Sequence, residues 1–246
     1  MRFNPIDPTQ LRLVRLTSLL ATCLLAPVFQ AQAQEEELIS VSFQALAWDN
    51  TISDLYYFDR GNPVQLFIPN GAPGPTLPYH GPPVLKFYTK GISAEGEDQY
   101  DLKAAVTLSA TQQRTLLLFI PASSEGAAGP QYRIMPLQDN DRAFTNNAFN
   151  FYNLTNTDMA IRVGDDQFVI KPGRNRIIGL TEEVKKNVNV QMASNTDASN
   201  WTLVYQSRWA APKNRRAWVF IYREGEDRPS IRKYYQVAMT PPPPTP

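Results

Sequence analysis

Thr115-Leu-Leu-Leu-Phe-Ile120, closed by Pro121, returns about a hundred residues later as Ala217-Trp-Val-Phe-Ile221. Short apolar runs rich in leucine, aromatic and β-branched side chains read as strands buried on both faces. They are far too short to cross a bilayer, so protein must cover both sides. Each copy is expected at the centre of its own small sandwich.

The repeat extends beyond these strands. Gln65-Leu-Phe-Ile-Pro-Asn-Gly71 matches Gln167-Phe-Val-Ile-Lys-Pro-Gly173 at an offset of 102, and Leu117-Leu-Phe-Ile120 matches Trp218-Val-Phe-Ile221 at an offset of 101. Each core strand leads to a Glu-Gly loop, at Glu125-Gly126 and Glu224-Gly225, and then to a last strand, Gln131-Tyr-Arg-Ile134 or Ile231-Arg-Lys-Tyr234. Units this long are domains rather than solenoid repeats. Short alternating strands separated by turn signals predict an all-β protein: two tandem immunoglobulin-like or related β-sandwich domains from an internal duplication. The expected boundaries are 34–141 and 142–240, with a proline-rich tail at 241–246. One large sandwich whose halves share sheets is the rival arrangement. The best helical candidate is a single turn at Thr181-Glu-Glu-Val-Lys-Lys186.

Residues 1–33 read as a secretory signal. Arg2, Arg12 and Arg15 precede the apolar segment Leu16 to Phe29, and Ala31-Gln32-Ala33 supplies the small residues of a cleavage site. Cleavage would leave no transmembrane segment. It would also remove Cys23, the one cysteine, so the exported part has no disulfide, thiol nucleophile or thiolate site. The 24 basic and 23 acidic residues fall to 21 and 22 once three arginines and Asp7 are lost. That near-neutral balance argues against a nucleic-acid partner or a polybasic membrane patch.

His80 is the only histidine. It falls in Pro69 to Pro83, where six prolines and three glycines predict a long loop of polyproline and turn conformation that can be neither a helix nor a central strand. No Ser-His-Asp or Cys-His relay is recognisable, and no zinc site of the His or Cys kind can be assembled in a monomer. Asp139-Asn-Asp141 and Gly164-Asp-Asp166 are the best oxygen-ligand clusters for calcium, yet both read as turn chemistry and neither continues as a calcium loop. A carboxylate-only hydrolase needs just two acids, and no pair stands out. No cofactor or metal is therefore expected, and the chain is read as a non-enzyme.

Trp48, Tyr79, Trp201 and Trp209 could stack on sugar rings. Trp201, Leu203, Tyr205 and Trp209 share one alternating face, which predicts core for them. Arg208, Lys213, Arg215 and Arg216 read as a basic hairpin tip, either solvated or in contact with an acidic polymer, and Asn153-Leu-Thr155 and Asn200-Trp-Thr202 fit the glycosylation acceptor pattern.

Phe43-Gln-Ala-Leu-Ala-Trp-Asp49, Leu55-Tyr-Tyr57, the stretch Pro78 to Tyr88, Phe151-Tyr-Asn-Leu-Thr155 and Ser207-Arg-Trp209 together resemble a group of exported bacterial β-sandwich proteins of uncharacterised function. At the level of architecture the chain is similar to periplasmic accessory factors of exopolysaccharide acetylation and to immunoglobulin-like pilus-associated proteins. The resemblance implies a periplasmic or cell-surface location and carries no catalytic residues. The expectation is a binding or scaffold protein of the cell envelope that contacts a protein partner, through strand addition or the Pro69–Pro83 loop. The alternative is a carbohydrate-binding module for envelope glycans or exopolysaccharide. Trp48, Tyr79 and His80 are the expected contact residues.

Overall fold

A computed structural model describes residues 38–122, 130–139, 142–181, 186–197, 200–224 and 229–238. The signal segment, Glu125-Gly126, Asn140-Asp141, the middle of the helical turn expected at 181–186, residues 225–228 and the proline tail lie outside them. The described residues are all β. The first half supplies Ile39–Ala47 (β1), Ile52–Asp59 (β2), Asn62–Ile68 (β3), Leu77–Gly81 (β4), Val84–Ile92 (β5), Asp98–Thr107 (β6), Arg114–Pro121 (β7) and Tyr132–Gln138 (β8). The second supplies Ala148–Asn153 (β9), Met159–Val163 (β10), Asp166–Ile170 (β11), Asn175–Gly179 (β12), Asn187–Asp197 (β13), Asn200–Ala210 (β14), Arg216–Arg223 (β15) and Pro229–Gln236 (β16).

Four four-stranded sheets result, ordered β3-β2-β5-β6, β4-β1-β7-β8, β12-β9-β15-β16 and β11-β10-β13-β14. Adding eight to every strand number of the first two sheets gives the last two, so the duplication is complete at the level of topology. It includes the parallel pairing of β1 with β7 and of β9 with β15. Among the described residues no sheet mixes strands of the two halves, so each half is its own sandwich.

Three cores separate the four layers. Phe43, Tyr57, Phe87, Leu117 and Phe119 belong to the first, between the sheets of the first half. Phe149, Phe151, Val190, Trp209 and Val219 belong to the second. The third joins the halves: Leu46, Leu116, Leu118 and Leu137 meet Tyr152, Trp218, Phe220 and Tyr234. This explains why β7 and β15 are buried on both faces. Side chains alternate along a strand, so Leu117 and Phe119 face the home sandwich while Leu116 and Leu118 face the neighbouring one. In β15, Val219 and Ile221 face inward and Trp218 and Phe220 face across.

That pattern corrects one register. An offset of 101 equates inward Leu117 with outward Trp218; the faces match only at 102, which pairs Leu116 with Trp218 and Leu117 with Val219. A slip of one residue exchanges the two faces of a strand, and two apolar faces hide it. The last strands shift likewise. Ile134 and Ile231 both face their home cores, whereas Tyr234 lies in the third core.

Turn chemistry sets the hairpins. Arg60 and Gly61 connect β2 to β3 with φ of 50° and 79°, both positive as a primed two-residue turn requires. Gly164 opens the β10–β11 turn at φ 60°.

Buried phenols make the fold sensitive to alkali. Burial, and then the negative charge of Asp59, pushes the Tyr57 hydroxyl up to about 12. Burial also raises Tyr132, Tyr152, Tyr234 and Tyr235. Each folded value lies above the unfolded one near 10, so the folded state keeps protons that the unfolded chain releases. For Tyr57 that contribution is complete below about pH 10 and is lost as pH rises through about 12, and for the more strongly shifted Tyr152 it persists to higher pH. Urea midpoints are expected to hold to about pH 9 and then fall in step with phenolate absorbance. A midpoint unchanged to pH 12 would contradict the assignment.

Candidate functional site

The three expected contact residues do not assemble. Ser40 pairs with His80 near the start of β1, whereas Trp48 follows its last residue. Eight residues of strand separate those ends, roughly 26 Å.

Trp48 is half-buried between the sandwiches. Its ring lies edge-on to Tyr222 and Phe220, with centroids 4.9 and 5.7 Å away, and the Arg232 guanidinium sits 4.3 Å above it. Arg232 and Tyr234 both donate to its carbonyl. Its surroundings make it a strut of the third core rather than a ligand platform.

Tyr79 is 2% exposed, part of the first core, and donates its hydroxyl to the Pro82 carbonyl at 2.7 Å. It is core, not a stacking surface.

His80 is half-exposed and occupied. Its Nδ1 lies 3.0 Å from an Asp59 oxygen that also accepts its backbone N–H, and the Arg60 guanidinium lies 3.1 Å from its Nε2. An arginine can only donate, so Nε2 accepts and Nδ1–H donates. The Arg60 N–H closes onto the His80 carbonyl. His80 therefore clasps the β2–β3 hairpin to β4, across the two sheets. Among the described residues no hydroxyl bonds to it.

The Pro69–Pro83 stretch departs from its reading as a loop. Its second half is β4, an edge strand that accommodates Pro78 because one of its edges has no partner strand. Its first half is held by Ala47 N–H to the Pro69 carbonyl, Gly74 N–H to the Ala45 carbonyl and the Gln44 side chain to the Gly74 carbonyl. The whole stretch covers the open edge of β1, a standard protection of exposed sheet edges. Deleting residues 70–82 would remove that cover and Tyr79 from the core, so it cannot leave the fold intact.

Two further sequence readings change. Arg216 does not belong to a solvated hairpin tip: β14 and β15 lie in different sheets, and Arg216 is fully buried. It donates to Asp139 at 2.8 Å and to the Phe144 carbonyl at 2.8 Å. Arg114 donates to the same Asp139 oxygen at 3.0 Å, which makes that carboxylate an ion-pair partner rather than a calcium ligand. The Asn153 amide is equally buried. It donates to the carbonyls of Thr157 and Ile170 and accepts from Thr155, so the residues of this acceptor pattern form an internal brace.

The surface with ligand-like chemistry is the outer face of β11-β10-β13-β14. Pairing aligns Gln167, Arg162, Gln191 and Gln206 in one row across all four strands. The next row is Val169, Ala160, Ala193 and Leu203. At about 4.8 Å per strand a row spans roughly 14 Å. A cavity of about 680 Å³ opens over Arg162, Asp165, Asn189, Gln191, Gln206 and Arg208. A smaller one of about 190 Å³ lies over Gln167, Ala193 and Leu203. Val169, Trp201 and Leu203 are 53%, 44% and 57% exposed. Trp201 and Leu203 were expected in the core with Tyr205 and Trp209. A β-bulge reverses them: Met192 pairs with Tyr205 but Ala193 with Leu203, so Val204 is extra and the alternation breaks. The first half carries the same bulge, with Phe87 opposite Ala104 and Tyr88 opposite Leu102.

Neither protein-family models nor curated protein sequences give a match to this chain. Among the described residues no group of three His, Cys, Asp or Glu could hold a metal ion, and no helix is long and apolar enough to cross a membrane.

Proposed function

We propose that the chain is an exported, non-enzymatic envelope protein that binds a glycan on the outer face of β11-β10-β13-β14. The observation that carries this is the Gln167–Arg162–Gln191–Gln206 row beside exposed Val169, Leu203 and Trp201. Sugar hydroxyls donate and accept at once, and a carboxamide offers an acceptor oxygen and two N–H donors. Among the described residues the side chains of Gln167, Asn189, Gln191 and Gln206 bond to nothing else. The adjoining apolar row and Trp201 suit the C–H faces of sugar rings. The N-terminal signal pattern supports export, and the engagement of His80 by Asp59 and Arg60 supports binding over catalysis.

Affinity electrophoresis through soluble polysaccharides and sedimentation with insoluble envelope preparations test this reading. Retardation is expected, weakened tenfold or more by Trp201→Ala combined with Leu203→Ala, as for an aromatic anchor. Absence of binding to every glycan tested would refute it.

A protein partner is favoured by a different face. On the outer side of β3-β2-β5-β6, Tyr56, Phe58, Tyr88 and Tyr100 pack edge to face, with ring centroids 5.1 to 6.5 Å apart. Phe67 and Leu102 beside them are more than half exposed. The layer order puts this face on the opposite side of the molecule from the glycan face. A photocrosslinker at Gln65 capturing an envelope protein that one at Gln167 does not would support this reading, and equal capture from both would remove it.

A further inference from the structure

We infer that the glycan taken by the outer face of β11-β10-β13-β14 is acidic, a polymer carrying sugar carboxylates; this rests on the glycan reading above. Two arginines line the 680 Å³ cavity from different strands, Arg162 on β10 and Arg208 on β14. Arg208 is level with Asn189, and Arg162 with Gln191, two residues further along β13. The two positions are therefore roughly 10 Å apart across the sheet and 7 Å along it. One carboxylate-bearing chain lying obliquely over the sheet would meet both.

Each guanidinium is available for such a contact. Arg162 is braced by its Nε donating to the Gly164 carbonyl at 3.1 Å, which leaves its terminal nitrogens directed elsewhere. Arg208 has no ion pair or side-chain hydrogen bond among the described residues. Among the described residues Asp165 is the only acid lining the cavity, so two positive charges stand against one negative. That is a local feature of a chain with only one net charge, +1, over all 246 residues. Guanidinium forks match carboxylates in two-point contacts. The intervening Asn189, Gln191 and Gln206 suit hydroxyls between successive carboxylates. An acidic peptide fits less well, because extended peptides add to a sheet edge through their backbone whereas this is a sheet face lined by side chains.

The test compares polygalacturonate, a neutral polysaccharide such as dextran, and polyglutamate against the full exported chain, Arg162→Gln, Arg208→Gln and the double variant. Thermal unfolding of each variant checks that it remains folded. Polygalacturonate is expected to bind, with a loss of about tenfold for each arginine removed and further weakening as salt rises. Dextran binding equal to polygalacturonate binding, unaffected by either arginine, would overturn the acidic specificity and leave the glycan reading standing. Polyglutamate binding as tightly as polygalacturonate would overturn it as charge attraction alone. Failure to bind any polysaccharide would overturn both readings.

Discussion

Asp139→Ala is expected to lower stability by about 3–5 kcal/mol, the loss found when one partner of a buried ion pair is removed. The Asp139 side chain is 1% exposed and that of Arg216 0%. The Arg216 guanidinium also lies 4.6 Å over the Phe144 ring and donates to the Phe144 carbonyl at 2.8 Å. Arg114, with 18% of its side chain exposed, has partial access to solvent and contributes less. Because the cost arises from taking the carboxylate away from a buried cation, the pairing Asp139→Leu with Arg216→Met should recover at least half of it. Urea unfolding of the three proteins measures this. A loss below about 1 kcal/mol for Asp139→Ala would show that Arg216 finds water or another acceptor and that the cluster is not closed. The position matters for the architecture. Arg114 begins β7 and Arg216 begins β15, so one carboxylate ties together the first residues of the two equivalent central strands.

Trp218→Ala is expected to cost a further 3–5 kcal/mol, as for a large aromatic truncated in a core. Trp218 is fully buried between the sandwiches. It stacks on Tyr152 at 5.9 Å, lies edge-on to Phe144 at 4.8 Å, and donates its indole N–H to Gln236 at 2.6 Å. Its effect should differ in kind from that of a core residue within one sandwich. The third core is what joins the halves, so the native protein should unfold in one transition with equal calorimetric and van't Hoff enthalpies. In Trp218→Ala the calorimetric value should exceed the van't Hoff value as the sandwiches begin to unfold separately. A Phe87→Ala variant, cut within the first sandwich alone, is the comparison. If both variants keep the two enthalpies equal, the cooperative unit is set by something other than this interface.

The fold could be read in the sequence because strand signals are local. Alternation from Val41 to Ala47, the Arg60-Gly61 and Gly164 turns, and the repeated apolar runs each depend on a few neighbouring residues. The strand missed in the sequence was β4, where Pro78 and Gly81 conceal strand character. Its counterpart in the second half, β12, holds Ile177 and Ile178 and no proline, so its strand signal is local. The candidate site was read less well. Trp48 and Tyr79 serve packing, and His80 clasps the β2–β3 hairpin to β4 through Asp59 and Arg60. Gln167, Gln191, Gln206, Arg162 and Arg208 are ordinary surface residues in sequence, and only strand pairing gathers them.

Sequence alone determined that the chain is a duplicated set of short strands with no thiol chemistry beyond Cys23 and only one histidine, because composition and two-residue periodicity need no partner to be read. Tertiary structure decided what lies over each face. Leu116 and Leu117 have the same chemistry and adjacent places, yet one seals the joint between sandwiches and the other fills its own. Trp201 and Trp209 share a periodicity that a single bulged residue, Val204, overrides. Burial depends on what packs opposite, and hydrogen-bonding rows depend on strands far apart in the chain, so neither is written in a local pattern.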